Sequence, residues 1–522
     1  MTKHGDDWEK RLHGEPLRSG GFSPELKNKV RERIRMKAAR YKLTTRLVSS
    51  VLAAAILCSG WLLRGEIKLL FINDEPVIAK AVIDRSLDEQ GDIVLKVQKF
   101  TTDNFMTNVG KAFIARHPGV ELNIVEPSGK VQAGVFRMPT YEDYVMWLEQ
   151  EQPDVVIVPY HYYVPLAQGG YLQPLDTQIN QDKSVLNHYH KPVLDVMRAA
   201  ADGAVYGLAT EFSTQALYIN KKLFEQYQIP LPTDGMSWEE VLQTAQKFAG
   251  LEGDVTGLAF SDPASPYSLV QSMAKTQGLR SFSEDGSSIT VDSPSWRQLW
   301  EDVIIGIQDG WINYSGPGNQ EQSSSQGGDG REQLILQDPF AMGHVAMRLD
   351  SGEYRGRLNY GAAQHDLELE WMTVTEPVDP AHPDRSSEYE LKSIYAVRNG
   401  TLHPEAAWEV VRLAVRPQTT SWERSSTMYA PLSVQTTTIS LNEGHNAAFY
   451  RLSPDPGKLT AENNQSVSAE QLSRTASIRN AEIAQGNLIM KSVLQGERSL
   501  EEGLAMLQGE LELAAERGEV EQ

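Results

Sequence analysis

From Asp92 onward the sequence alternates short apolar runs with amphipathic stretches, and this alternation restricts the fold more than any other feature. Ile93 to Phe100 and Val120 to Glu126 read as strands, the second stopped by the turn Pro127-Ser128-Gly129, and Phe105 to Arg116 between them has helical periodicity. Tyr141 to Gln150 reads as another helix. Pro153-Asp154-Val155-Val156-Ile157-Val158 reads as a short apolar strand, and a helix from Val164 to Gln168 then ends at Gly169-Gly170. Strands separated by helices imply a doubly wound α/β sheet, whose ligands gather beyond the carboxyl ends of its strands. Thr101-Thr102-Asp103 and Pro159-Tyr160-His161-Tyr162 follow two such ends, polar and aromatic where loop filler would suffice.

The stretch from Asp202 to Phe224 breaks the pattern. Asp202-Gly203 is a turn pair, Val205 to Leu208 is short and extended, and Ala216 to Ile219 is a buried-strand run before Asn220, which is placed to cap a helix beginning at Lys221. Between the apolar runs stand Thr210, Glu211, Phe212, Ser213 and Thr214. A segment crossing between two lobes would expose such residues to a cleft, and clefts between lobes are where small ligands bind.

The chain has 522 residues and a net charge of -20, but residues 1–46 carry 13 Lys/Arg against 6 Asp/Glu. The remainder is therefore strongly acidic, which argues against nucleic acid as a partner, since phosphate binding needs clustered cations. Leu47 to Leu63 contains no charged residue and is just long enough to span a bilayer as a single transmembrane helix. The basic residues before it, Arg31 to Arg46, predict a cytoplasmic N-terminus and an extracellular body, hence a single-pass protein of the cell membrane. The one cysteine, Cys58, excludes an internal disulfide. Leu57 stands before it where a lipoprotein signal carries a small residue, which favours a thiol within an uncleaved anchor.

Several further stretches carry a family resemblance: FIARHPGVELNI (113–124), QPDVVIV (152–158), AQGGYLQPLD (167–176), the Asp202 to Phe224 unit, and SWEEVLQTAQKFA (237–249). ITVDSPSWRQLWEDV (289–303), GHVAMRLD (343–350) and LHPEAAWEVVRLA (402–414) follow in the same order. Together they resemble the extracellular solute-binding proteins of ABC importers, in the branch that includes maltose-binding protein. The resemblance implies a type II periplasmic-binding-protein fold: two doubly wound lobes joined by hinge strands. On it the first hinge crossing lies near Thr210, and YELKSIYAV (389–397), around Ser393, is the second. The implied division is a cytoplasmic tail (1–46), an anchor (47–63), a spacer (64–91), one lobe (92–209 and 390–435) and a second lobe (210–389 and 436–522). Residues 314–331, rich in Gly, Ser and Gln, read as a surface loop inserted in the second lobe.

Catalytic signatures are absent from the sequence: there is no G-x-S-x-G elbow, H-E-x-x-H, phosphate-binding loop or dinucleotide G-x-G-x-x-G. His188-Tyr189-His190 lacks neighbouring carboxylates for a metal site, and Glu239-Glu240 follow Ser237 as capping residues of a helix start. A binding protein without cofactor or metal is therefore expected, not an enzyme. At the cleft positions that the resemblance implies, the candidate ligand-binding residues are Thr102, Asp103, Tyr160, His161, Glu211, Phe212, Tyr267, Asp350, Tyr354 and Trp371. Aromatic faces cover the apolar side of a pyranose, and carboxylates and hydroxyls pair with its hydroxyl groups, so a sugar or oligosaccharide is the expected ligand. The same groups also suit peptides or other polar solutes. ABC permease subunits are the implied partners. The alternative is a sensor that signals occupancy through the anchor to the basic tail.

Overall fold

Two open sheets organise the described part of the chain, the first with one hydrophobic core and the second with a core on each face. The computed structural model describes residues 87, 93–100, 104–127, 130–132, 135–137, 139–187, 189–314, 335–365, 369–416, 445–455 and 469–520, all within Val82–Gln522. The strands, in chain order, begin with β1 (Ile93–Gln98), β2 (Val120–Val125), the hairpin β3 (Lys130–Gln132) and β4 (Val135–Arg137), β5 (Val155–Val158) and β6 (Gly207–Ser213). They continue with β7 (Gln215–Asn220), β8 (Thr256–Phe260), β9 (Val345–Ser351), β10 (Trp371–Thr375), β11 (Arg385–Ser386), β12 (Glu390–Val397) and β13 (Ser453–Pro454).

The first sheet has the order β2-β1-β5-β12-β6, parallel from β2 to β5 and antiparallel through β12 and β6. The four residues of β5, Val-Val-Ile-Val, are all buried at its centre, which is why this strand reads as an unbroken apolar run. Full burial of such a side chain contributes about 1.5 to 3 kcal/mol relative to exposure.

The second sheet has the order β10-β7-β9-β8 and illustrates the period of two. Leu217 and Ile219 of β7 enter one core with Trp238, Trp300 and the C-terminal helices, while Ala216 and Tyr218 enter another with Phe340, Tyr354, Trp371 and Phe449 on the opposite face. Helix Trp238–Gln246 lies close to β8, where a Cβ at Gly257 would stand 2.1 Å from the Ala245 carbonyl oxygen. That helix starts with a complete capping box, in which Ser237 and Glu240 satisfy each other's backbone N–H groups.

Connections between the sheets differ slightly from the sequence expectation. β6 pairs with β12 as far as Ser213 opposite Glu390, and β7 joins the second sheet at Gln215, so the first crossing lies at Thr214. The return crossing runs from the end of β10 through β11 into β12. Helix Pro404–Ala414 belongs to the first core; the helices Ala469–Leu494 and Leu500–Val520 pack on one face of the second sheet, Ala448 and Phe449 pack on its other face, and Tyr450 packs against both that other face and the first core. Another difference is at Tyr160: Pro159 in extended conformation starts a helix there, Tyr160–Gln168, rather than a loop. Its first turn buries Tyr160, Tyr162 and Tyr163, so aromatic burial extends the helix back to the strand end.

Among the described residues, no helix is long and apolar enough to cross a membrane. Residues 47–63, Cys58 and the basic tail lie outside them, as do His188 and residues 315–334.

Candidate functional site

A cleft of about 340 Å³ opens where the two sheets meet. The first lobe contributes Pro159, Tyr160 and His161, because β5 ends at Val158 and the helix Tyr160–Gln168 begins at the rim. The first crossing contributes Ser213, Thr214 and Gln215, and the return crossing contributes Ser386 to Leu391. Lys275, Ser351 and Asp455 complete the lining from the second lobe.

Most of this wall is hydroxyl, amide and carboxylate. Lys275 Nζ stands 2.9 Å from Glu388 Oε2, an ion pair from helix Pro266–Thr276 to the return crossing. Beside it Thr276 Oγ1 and Ser387 Oγ are 3.0 Å apart, and the Trp238 indole N–H donates to Thr276 Oγ1 at 3.1 Å. Behind the wall the buried Glu376 accepts from Ser386 Oγ at 2.7 Å and from the Ser387 amide at 2.8 Å. Burial, reinforced by nearby Glu388, raises its carboxyl to about pKa 7. Tyr160, mostly buried, has its phenol pushed up to about 12 by desolvation and is neutral.

Of the residues singled out in the sequence, Tyr160 and His161 are brought to the cleft. Glu211 lies on β6 opposite Lys392, two residues before Ser213 and so on the same face of the strand. Phe212 points the other way and is fully buried. Its ring stacks on Tyr389 at 4.9 Å and on His190 at 5.4 Å, with Tyr450 edge-on at 5.4 Å. Phe212 bears on the cleft from behind, through Tyr389, on which it stacks, and Leu391, its partner across the sheet, both of which line it.

The structure places four other candidates in the interior of the second lobe. Tyr267 is buried and donates to Glu482 at 2.8 Å, its ring against Gly486, where a Cβ would stand 2.3 Å away. Asp350 is held by Arg348 at 2.8 Å, and Arg348 lies 4.3 Å over the ring of Tyr354. Tyr354 donates to Asp338 at 2.8 Å, and Trp371 stacks on His445 at 3.8 Å. Thr102 and Asp103 lie outside the described residues. Among the described residues no group of three or more His, Cys, Asp or Glu is placed to hold a metal ion, and His190 is buried against Phe212 with its basicity lowered to about pKa 4 by desolvation.

Sequence reasoning placed Ser213 and Thr214 in a stretch facing a cleft without singling them out as ligand-binding candidates, and it missed Gln215 and Ser386 to Leu391. Ser213 was recoverable: if Phe212 enters the core, alternation turns Ser213 outward. Ser386 to Leu391 had no local signal, because Ser-Ser-Glu before a strand is ordinary connecting sequence.

Comparison with known proteins bears on this geometry. The sequence model of the bacterial extracellular solute-binding proteins matches residues 101–420. A protein of Brucella abortus (strain 2308) described as a binding protein is 25% identical over 178 residues, 32% of this chain. The match spans 38% of that relative's own length.

Solved structures share the fold. The sugar-binding protein MalE from Xanthomonas citri superposes with a TM-score of 0.53 at 15% identity, covering 81% of this chain and 98% of its own. An extracellular solute-binding protein family 1 member from Alicyclobacillus acidocaldarius gives 0.52 at 15%, again over 81% and 98%. A sugar transporter from Rhizobium etli in an open conformation gives 0.50 at 17%, over 80% and 99%. At these identities the likeness is one of fold.

Proposed function

Because this chain belongs to the bacterial extracellular solute-binding proteins, we propose that it binds a sugar or oligosaccharide between its two lobes and closes around it. Members of this family bind solutes and are not enzymes. The observation that carries the choice of ligand is the cleft lining, in which Ser213, Thr214, Ser386, Ser387, Glu388 and Lys275 surround a space beside the ring of Tyr160. Alternating hydroxyl, carboxylate and ammonium groups match a ligand dense in hydroxyls, each of which both donates and accepts. An apolar solute would displace water from this polar wall without offering hydrogen bonds in return. The two structural relatives described as a sugar-binding protein and a sugar transporter support the same class.

Closure would bring Tyr160 and His161 toward Lys275 and the return crossing, since they stand on different lobes joined by few strands. An ABC permease would read the closed form, and residues 47–63 would hold the acidic body outside the membrane. The test is a thermal-shift screen with mono- and oligosaccharides, and with amino acids and short peptides as comparison. A ligand that binds only the folded state raises the melting temperature with concentration, by about 2.7 kcal/mol of stabilisation at a hundredfold excess over Kd. A concentration-dependent rise with sugars alone supports the proposal, whereas a response confined to peptides or amino acids overturns the ligand class.

A further inference from the structure

One buried carboxyl gathers both crossings at the back of the cleft. Glu376 follows β10 and is almost wholly buried. Its Oε1 accepts from Ser386 Oγ, the Ser387 amide and, at 3.4 Å, the Glu388 amide, all on the return crossing. Its Oε2 lies 3.2 Å from the Gln215 amide and 3.5 Å from Thr214 Oγ1, both on the first crossing, while Thr214 Oγ1 and Ser386 Oγ are 3.1 Å apart. Every one of these partner residues lines the cleft.

We propose that Glu376 is a positioning residue of the ligand cleft, a protonated carboxyl that ties the two lobe crossings together and loosens them when it loses its proton. The proposal rests on the reading of the cleft as the ligand site. Burial and the like charge of Glu388 favour the neutral form and outweigh the hydrogen bonds donated by Ser386, Ser387 and Gln215, which favour the carboxylate. With Oε1 accepting from Ser386, Ser387 and Glu388, a hydrogen on Oε2 can donate to Thr214 Oγ1 while Oε2 still accepts from Gln215. Among the described residues no cation is bonded to a full negative charge at this depth, and Glu388 faces it as a like charge. The surrounding charges are otherwise engaged. Lys275 pairs with Glu388, Arg385 of β11 pairs with Asp455, and Asp234 accepts from the Thr375 amide and pairs with Arg451.

The direction of the pH effect follows. The carboxyl titrates near 7 in the closed wall, above the usual carboxylate value of 4.5. A locally opened wall exposes it to water and lets it ionise more readily. Opening is then least favourable at low pH, becomes easier as pH rises through the interval between the two values, and stops changing above about 7.

The experiment is ligand-free hydrogen exchange of the full chain from pH 5 to 8, reading the Gln215 and Ser387 amides after correction for intrinsic exchange. The wild-type protein is expected to lose protection roughly tenfold per pH unit from 5 toward 7 and to level off above that. Glu376→Gln, a neutral isostere, should keep the low-pH protection and abolish the pH dependence. Glu376→Leu, lacking both acceptors, should exchange faster at every pH. Protection in the wild type that does not vary with pH overturns the proposal, as does the same pH profile in wild type and Glu376→Gln. The wild-type profile needs no variant, and because no ligand is added, its outcome is separate from that of the sugar screen.

Discussion

Thr210 Oγ1 donates to the carbonyl oxygen of Ser393 at 3.3 Å, and Ser393 sits within β12 with φ of 48°. A non-glycine residue in the left-handed region costs on the order of 1 kcal/mol and persists only where its surroundings hold it. Here the register continues on both sides, Lys392 opposite Glu211 and Ile394 opposite Ala209. The two residues therefore mark a kink where β12 and β6 approach the crossings.

Ser393→Gly is expected to leave stability unchanged or raise it by up to about 1 kcal/mol, since glycine accepts this backbone at little steric cost. Ser393→Val should lose about 1 to 3 kcal/mol, because a β-branched side chain is poorly tolerated at positive φ. Urea unfolding of both variants checks this. Equal stabilities would mean that the kink carries no strain.

Tyr267→Phe should destabilise the second lobe by about 1 to 3 kcal/mol, because it deprives a buried carboxylate of a donor. Glu482 would keep Ser281 Oγ at 2.7 Å but lose the phenol at 2.8 Å. Sugar binding should be unaffected in Tyr267→Phe at temperatures where it remains folded. Weakened binding in a fully folded variant would return Tyr267 to the ligand site.

His190 is expected to make the fold sensitive to acid. Burial lowers its pKa from 6.5 to about 4, so the unfolded chain takes up the proton first as pH falls. Its contribution is complete above 6.5, declines between 6.5 and 4, and is constant below that. His190→Phe keeps a ring against Phe212 and should flatten the stability profile over this interval. Denaturant midpoints at pH 7 and 5 read the effect, and an unchanged slope would place the acid sensitivity elsewhere.

Much of the fold was legible because it rests on local rules. The apolar runs of β5 and β7 and the Ser237–Glu240 capping box each announce themselves within a few residues. The site was less legible. Tyr267, Tyr354 and Trp371 have the residue type of a sugar-stacking platform, but a sequence does not show that Gly486, Arg348 and His445 stand where they cover those rings. Glu376 gave no signal either, since its partners come from positions 214–215 and 386–388 and meet only after both crossings have formed. Aromatic burial likewise turned the stretch after Pro159 from loop into helix.

The N-terminus offers a separate prediction. The chain extracted from membranes should retain residues 1–63, because Leu57 before Cys58 disfavours lipoprotein processing. Intact mass measurement decides it. A mature chain beginning at a lipid-modified Cys58 would contradict the anchor.

The central claim, a sugar held between the lobes, is tested most directly by a crystal structure of the protein with the saccharide that raises its melting temperature most. The predicted result is density in the cleft, touching Tyr160 or His161 from one lobe and Lys275 or Ser386 to Glu388 from the other, with the lobes closer together than in ligand-free crystals. Saccharide bound elsewhere, with this cleft empty, would contradict the account.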